Sequence, residues 1–208
     1  MAGNPLPHTF SRTPDGFSRL PAAQWEAEAI LRLVPAEKRL AAIGLAASRE
    51  LVTAGGLRGY RILHFATHGL LHPRHSELSG LVLSLVGEDG GARDGFLRAH
   101  EIAALDLPAE LVVLSACRTA LGEKLRAEGL VGLTRSFLNA GASRVVVSLW
   151  KVDDEATAEL MTRFYRGMLE QGLRPAAALR AAQLAMLRDE RFRAPAYWAG
   201  FELQGEWR

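Results

Sequence analysis

The sequence predicts an α/β protein whose mainly parallel sheet carries helices on both faces, with a small β-hairpin inserted in its first half. Three observations predict it. The runs within YRILHFATHG, LVVLSAC and SRVVVSLW are nearly all apolar yet too short to stand alone as helices, as expected of strands buried on both sides. Amphipathic helical patterns lie between and after them, and strands alternating with such helices build a parallel sheet covered on both faces. A run from Leu81 to Val86 meets a turn cluster at Glu88 to Gly91 before Phe96 and Leu97 resume, which reads as the hairpin.

Residues 1–20 open the chain with Pro5, Pro7 and Pro14 and little periodicity, so they read as a loop or tail. From Ala22, after Pro21, the pattern turns helical, with Trp25, Ala29, Ile30 and Leu33 on one face and Pro35 ending it. LAAIGL is short and apolar enough for a strand, and ASRELVTAGGL reads as a helix closed by Gly55 and Gly56. The segment EGLVGLTRSFLNAG sets Leu130, Leu133, Phe137 and Ala140 on one stripe and stops at Gly141. ATAELMTRFYRGML carries Leu160, Met161, Phe164, Tyr165, Met168 and Leu169 at helical spacing, with Asp153 or Asp154 able to cap its start. PAAALRAAQLAML begins on proline at the first helical position, where the missing N–H does no harm.

A chain of 208 residues has room for one compact domain with a substantial core. Its formal charge of +2 is spread over mixed-sign segments such as EKLRAE and RDERFR, which argues against nucleic-acid binding. One cysteine makes no internal disulfide, no run is long and apolar enough for a spanning helix, and the first residues lack a signal-peptide core. These features point to a soluble protein of a reducing, cytoplasmic compartment without membrane contact.

In a parallel sheet, chemistry gathers just beyond the carboxyl ends of the strands. His68, in HFATHG, and Cys117, in LSACRTA, each follow a strand-like run directly and stand 49 residues apart. If those strands are neighbours, imidazole and thiol emerge at one edge. A free thiol near pKa 8.5 is only a few per cent thiolate at neutral pH; an adjacent imidazole raises that fraction and supplies a proton for a leaving amine. The backbone N–H groups of Gly69 and Cys117 are candidates for an oxyanion hole. The residues alone leave a second reading open, because a cysteine after Leu-Ser-Ala is often just a small buried hydrophobe.

A metal site is the competing chemistry, since His64, His68, His72 and His75 crowd together. On a strand, however, His64 and His68 project about 13 Å apart, too far to share one ion. His64 reads as a packed or hydrogen-bonded strand residue, and no metal or organic cofactor is expected.

HFATHGLLHPRHSELSGLVLSL, DGFLRAHEI, LVVLSACRTALGEKLRAEGLVGLTRSFLNAGASRVVVSLWKVDDEATAELM and YWAGFELQGEW together resemble the CHAT family, caspase-like modules often fused to tetratricopeptide repeats. The resemblance runs from about Leu20 to the C-terminus. The His68–Cys117 interval also fits the roughly 50 residues separating the pair in caspases, and SACRT is similar to the caspase nucleophile motif. The resemblance implies a caspase-like three-layer sandwich and a cysteine-type endopeptidase, a thiol hydrolase in which His68 is general base or acid and Cys117 the nucleophile. It further implies an oxyanion hole from Gly69 and Cys117, and a substrate pocket bordered by Ser115, Trp150 and Asp153. For Trp150 the competing role is packing, and for Asp153 helix capping. Ser115 stands where several arginine- or lysine-directed relatives of caspases carry aspartate, so a basic-residue preference is not supported.

The resemblance also implies a protein or peptide substrate and a tetratricopeptide-repeat regulatory region in cis or in trans. At the front the chain departs from the family, which usually begins with a further strand. The domain is therefore expected to span residues 21–208 without that first strand, as the C-terminal part of a larger regulated protein. A catalytically silent CHAT interaction or scaffold module is the alternative.

Overall fold

The computed structural model describes residues 20–72, 75–115, 123–150 and 152–207, the side chains of 123–128 excepted. The proline-bearing stretch before Leu20 and the residue Cys117 lie outside them. A four-stranded sheet forms the middle layer, in the order β1 (Ile62–Phe65), β5 (Leu111–Leu114), β6 (Arg144–Ser148), β7 (Phe201–Gly205). β1 pairs with β5 and β5 with β6 in parallel, and β7 closes the far edge antiparallel to β6. Every residue of β5 is buried, which is why its sequence is a continuous apolar run rather than an alternating one.

Side chains alternate across this sheet and feed two cores. Leu63, Phe65, Val112, Leu114, Val145 and Val147 face one side, packed with Val52 of α2 (Arg49–Thr53), Ile102 of α3 (Ala99–Ala103), and Leu133 and Phe137 of α4 (Glu123–Asn139). Leu111, Val113 and Val146 face the other side. There they meet Ile30 of α1 (Pro21–Leu31), Leu160, Met161 and Phe164 of α5 (Asp154–Leu169), and Ala182 and Met186 of α6 (Pro175–Arg188). Helix, sheet and helix make the three layers of a caspase-like α/β sandwich. Among the described residues no helix is long and apolar enough to cross a membrane.

The hairpin is present but larger and differently bounded than its sequence suggests. β3 (Gly80–Val82) and β4 (Phe96–Arg98) pair antiparallel, and a single bridge, Val86 to Ala92, continues toward the turn at Gly90. β2 (His68–Leu70) adds to β3, making a second sheet of three strands in the order β2-β3-β4. Of the expected run from Leu81 to Val86 only Leu81 and Val82 belong to β3: Leu83 still donates to the Gly95 carbonyl in the hairpin register, but the Ser84 N–H turns to Ala47, and the Val86–Ala92 bridge resumes the pairing.

Three helix expectations hold closely. α4 buries Leu130, Leu133 and Phe137, with Ala140 just beyond its end, and stops before Gly141, whose φ of 111° few other residues adopt. α5 buries Leu160, Met161, Phe164 and Tyr165, with Met168 partly buried and Leu169, expected on the same stripe, exposed, and α6 starts on Pro175. Two other expectations are corrected. LAAIGL is not a strand: Ile43 is extended, but the segment pairs with no other strand among the described residues, and Gly44–Ala46 closes as a 3₁₀ turn. On α1 the buried stripe is Ala22, Glu26 and Ile30, whereas Trp25 stands 64% exposed. The helix docks on α5 through the face one residue round from the aromatic one.

Candidate functional site

The site expected from sequence lies at the carboxyl ends of β1 and β5, and their pairing is the neighbouring parallel one that it requires. Phe65 is the Cα partner of Leu114, and the N–H of Ser115 reaches the Phe65 carbonyl at 3.2 Å, extending the ladder by one residue. His68 does not emerge directly from β1, however. β1 ends at Phe65, and after Ala66 and Thr67 the chain enters the second sheet, where His68 is the first residue of β2 opposite Val82. The Thr67 hydroxyl donates to the Val82 carbonyl and pins this step between sheets.

His68 is buried, at 8% exposure, and takes part in polar or ring contacts of its own. Gly69 is buried beside it, opposite Leu81. Cys117, the other half of the expected dyad and of the oxyanion hole, lies outside the described residues.

Each of the three pocket residues is engaged within the protein. Asp153 is the N-cap of α5, where its Oδ1 accepts from the N–H groups of Glu155 and Ala156, both at 3.0 Å. An exposed cap of this kind satisfies donors that the helix itself leaves free. Trp150 donates its Nε1–H to the Ala196 carbonyl at 3.1 Å, and its indole lies against Gly200, where a Cβ would come within 2.8 Å of Cε2. It thus packs against the approach to β7, at the border of the core shared with α5. Ser115, 6% exposed, donates its Oγ–H to Glu26 Oε2 at 3.1 Å.

That last bond leads to a group the sequence reading passed over. Glu26 is 4% exposed and sits between Ser115 and His64, with Oε1 at 3.1 Å from His64 Nε2. The two atoms are close enough for an ion pair but lack the alignment of a hydrogen bond. The other ring nitrogen, Nδ1, is 3.0 Å from the Tyr165 hydroxyl. Burial, and after it the negative charge of Glu26, hold the Tyr165 phenol well above its ordinary pKa, so its O–H stays protonated at neutral pH. His64 is thus the hydrogen-bonded strand residue expected of it. The signal for Glu26 was its position, four residues from both Ala22 and Ile30 on the buried stripe of α1.

Among the described residues no three histidine, cysteine or acidic side chains are arranged to hold a metal ion. The His72 and His75 rings lie tilted against each other at 5.2 Å between centres, and His75 also pairs with Glu77 at 3.1 Å on the surface. An open groove of about 610 Å³ runs beside α4, lined in part by Glu77, His100, Arg135 and Asn139. Neither His68 nor Ser115 lines it.

Comparison with known proteins agrees with this architecture. Residues 5–206 match the pattern of the CHAT domain. Human tetratricopeptide repeat protein 28 is 30% identical over 220 aligned residues, covering 89% of this chain and 8% of that protein. The mouse protein of the same name is 41% identical over 113 residues, 54% of this chain and 4% of that one. The chain therefore spans less than a tenth of the length of these relatives. With the fold, the motifs and the match over nearly its whole length in agreement, the chain belongs to the CHAT domain family, a caspase-like family.

Proposed function

We propose that this CHAT domain is a cysteine-type endopeptidase in which Cys117 attacks the scissile carbonyl and His68 serves first as base, then as acid. The observation that carries the reading is the register of β1 and β5. Phe65 and Leu114 are paired, and His68 and Cys117 each follow three residues further along the chain. In the proposed reaction His68 takes the thiol proton and the thiolate adds to the carbonyl carbon, moving an electron pair onto its oxygen. The N–H groups of Gly69 and Cys117 receive that oxyanion. Its collapse breaks the C–N bond, His68 returns the proton to the leaving amine, and water then hydrolyses the thioester.

The substrate is a protein or peptide, and no metal or organic cofactor enters the reaction. Because the relatives are named for tetratricopeptide repeats, we place the module under control of such a region, in cis or in trans. The burial of His68 favours a second reading, a catalytically silent interaction module, since little of the imidazole faces solvent.

Alkylation separates the two. Cys117 is the only cysteine, so a mass shift reports it unambiguously. With a peptidyl chloromethyl ketone at pH 7, the peptidase reading expects modification much faster than that of a free thiol, and His68→Ala is expected to slow it by roughly 10²- to 10⁴-fold. A rate equal to that of an ordinary thiol, unchanged in His68→Ala, would overturn the peptidase reading in favour of the silent module.

A further inference from the structure

Four polar groups, the buried Glu26, Ser115 and Tyr165 and the partly buried His64, contributed by α1, the end of β5, α5 and β1, form one connected chain that the proposed reaction does not use. Tyr165 bonds His64, His64 faces Glu26, and Glu26 accepts from Ser115, with successive separations of 3.0, 3.1 and 3.1 Å. The surroundings are otherwise apolar. Ile30, Val113, Leu160, Met161 and Phe164 fill the same layer, each at most 8% exposed.

Stability alone does not explain a carboxyl group there. Taking a charge out of water is costly, and well-packed apolar residues of similar volume hold a core together equally well or better. What the polar chain supplies, and apolar packing does not, is a fixed direction at its open end. Ser115 is the first residue beyond β5, its N–H tied to β1 through Phe65 and its hydroxyl tied to α1 through Glu26. Two residues further on, the sequence reaches Cys117.

We infer that Glu26, braced by His64 and Tyr165, is a positioning residue for Cys117: by holding the Ser115 hydroxyl it sets the course of the chain as it leaves β5 toward the nucleophile. The inference rests on the reading of Cys117 as a nucleophile assisted by His68. Glu26 touches no reacting atom; it acts through Ser115. His64 and Tyr165 act one step further back, keeping the carboxyl group turned toward the serine. The chemical reason is that a nucleophile and its base work only within a narrow range of mutual geometry, and a displacement of about 1 Å set by a remote residue costs on the order of 100-fold in rate.

The test is the rate of Cys117 alkylation by iodoacetamide as a function of pH, at a temperature where circular dichroism shows each variant folded. Ser115→Ala and Glu26→Leu are expected to slow the reaction at pH 7 by roughly 10- to 100-fold. Both are also expected to move the apparent thiol pKa up toward the unperturbed value near 8.5. Glu26→Gln keeps an oxygen acceptor for Ser115 and is expected to stay within a few-fold of the parent protein. The triple variant Glu26→Leu, His64→Leu, Tyr165→Phe removes the polar chain while keeping the layer apolar and filled. It is expected to fold and still to show the slow rate.

Parent-like rates and pH profiles in Ser115→Ala and the triple variant would overturn the inference and leave Glu26 a staple between α1 and the sheet. Measuring His68→Ala in the same series keeps the two ideas apart. If His68→Ala is slow while Ser115→Ala is not, positioning alone fails. If the parent protein reacts as an ordinary thiol, the peptidase reading fails and the inference falls with it.

Discussion

Asp153 and Asp189 illustrate how single side chains are committed in this fold. Asp153→Ala removes the cap of α5 and is expected to cost about 1 kcal/mol, read from the shift in urea midpoint at unchanged slope. Asp189, just past the end of α6, accepts from Arg191 and, at 2.7 Å, from Arg163 on α5. The hydrogen bonds from Arg191, followed by that from Arg163, hold its carboxyl far below the usual range. A native pKa below the unfolded one stabilises fully above the unfolded value near 3.9, and that contribution is lost as pH falls through the native value. Asp189→Asn is therefore expected to unfold at lower urea than the parent protein at pH 7, with the gap narrowing as pH drops below about 4. Of these roles, only the cap was legible in the sequence, because capping is set by neighbours in the chain. Asp189 meets Arg163 across 26 positions, and Ser115 meets Glu26 across 89, so only folding brings those partners together.

At the scale of elements, the second sheet decides where His68 stands. Gly80 lies opposite Arg98 on β4, and a Cβ there would run into the Leu97 carbonyl oxygen, a backbone atom with no room to retreat. Gly80→Ala is expected to loosen β3 from β4, lowering the melting temperature and slowing Cys117 alkylation in the same direction as His68→Ala, since β2 hangs on β3. An unchanged alkylation rate in a folded Gly80→Ala protein would count against this coupling. The three buried strands, the hairpin and the long helices were legible because periodicity and turn residues are local. The break after Phe65 was not: the apolar run Ile62 to Ala66 reads straight on to His68, whereas the Thr67 hydroxyl reaches Val82 in another strand as the chain leaves β1. LAAIGL failed for the converse reason, being strand-like in composition without a described strand to pair with.

Across the whole molecule, the sheet separates two cores that share its strands but not its faces. Phe137 is fully buried in one and Phe164 in the other. Each Phe→Ala change is expected to cost about 3–5 kcal/mol, and the double variant to equal the sum of the two within roughly 0.5 kcal/mol, because the sites share no packing partners. Chemical denaturation of the three variants checks this, and a large coupling energy would mean that strain passes through the sheet. The sequence by itself determined the layer order, the parallel core, the family and the candidate pair His68 and Cys117, because apolar periodicity and short motifs are written in consecutive residues. Only the tertiary structure decided that His68 belongs to a second sheet, that Trp25 faces out while Glu26 faces in, and that a buried carboxyl group ties α1 to the end of β5. Each of those depends on which distant surfaces pack together, and a one-residue rotation of a helix or a two-residue step between sheets changes the answer without changing the pattern.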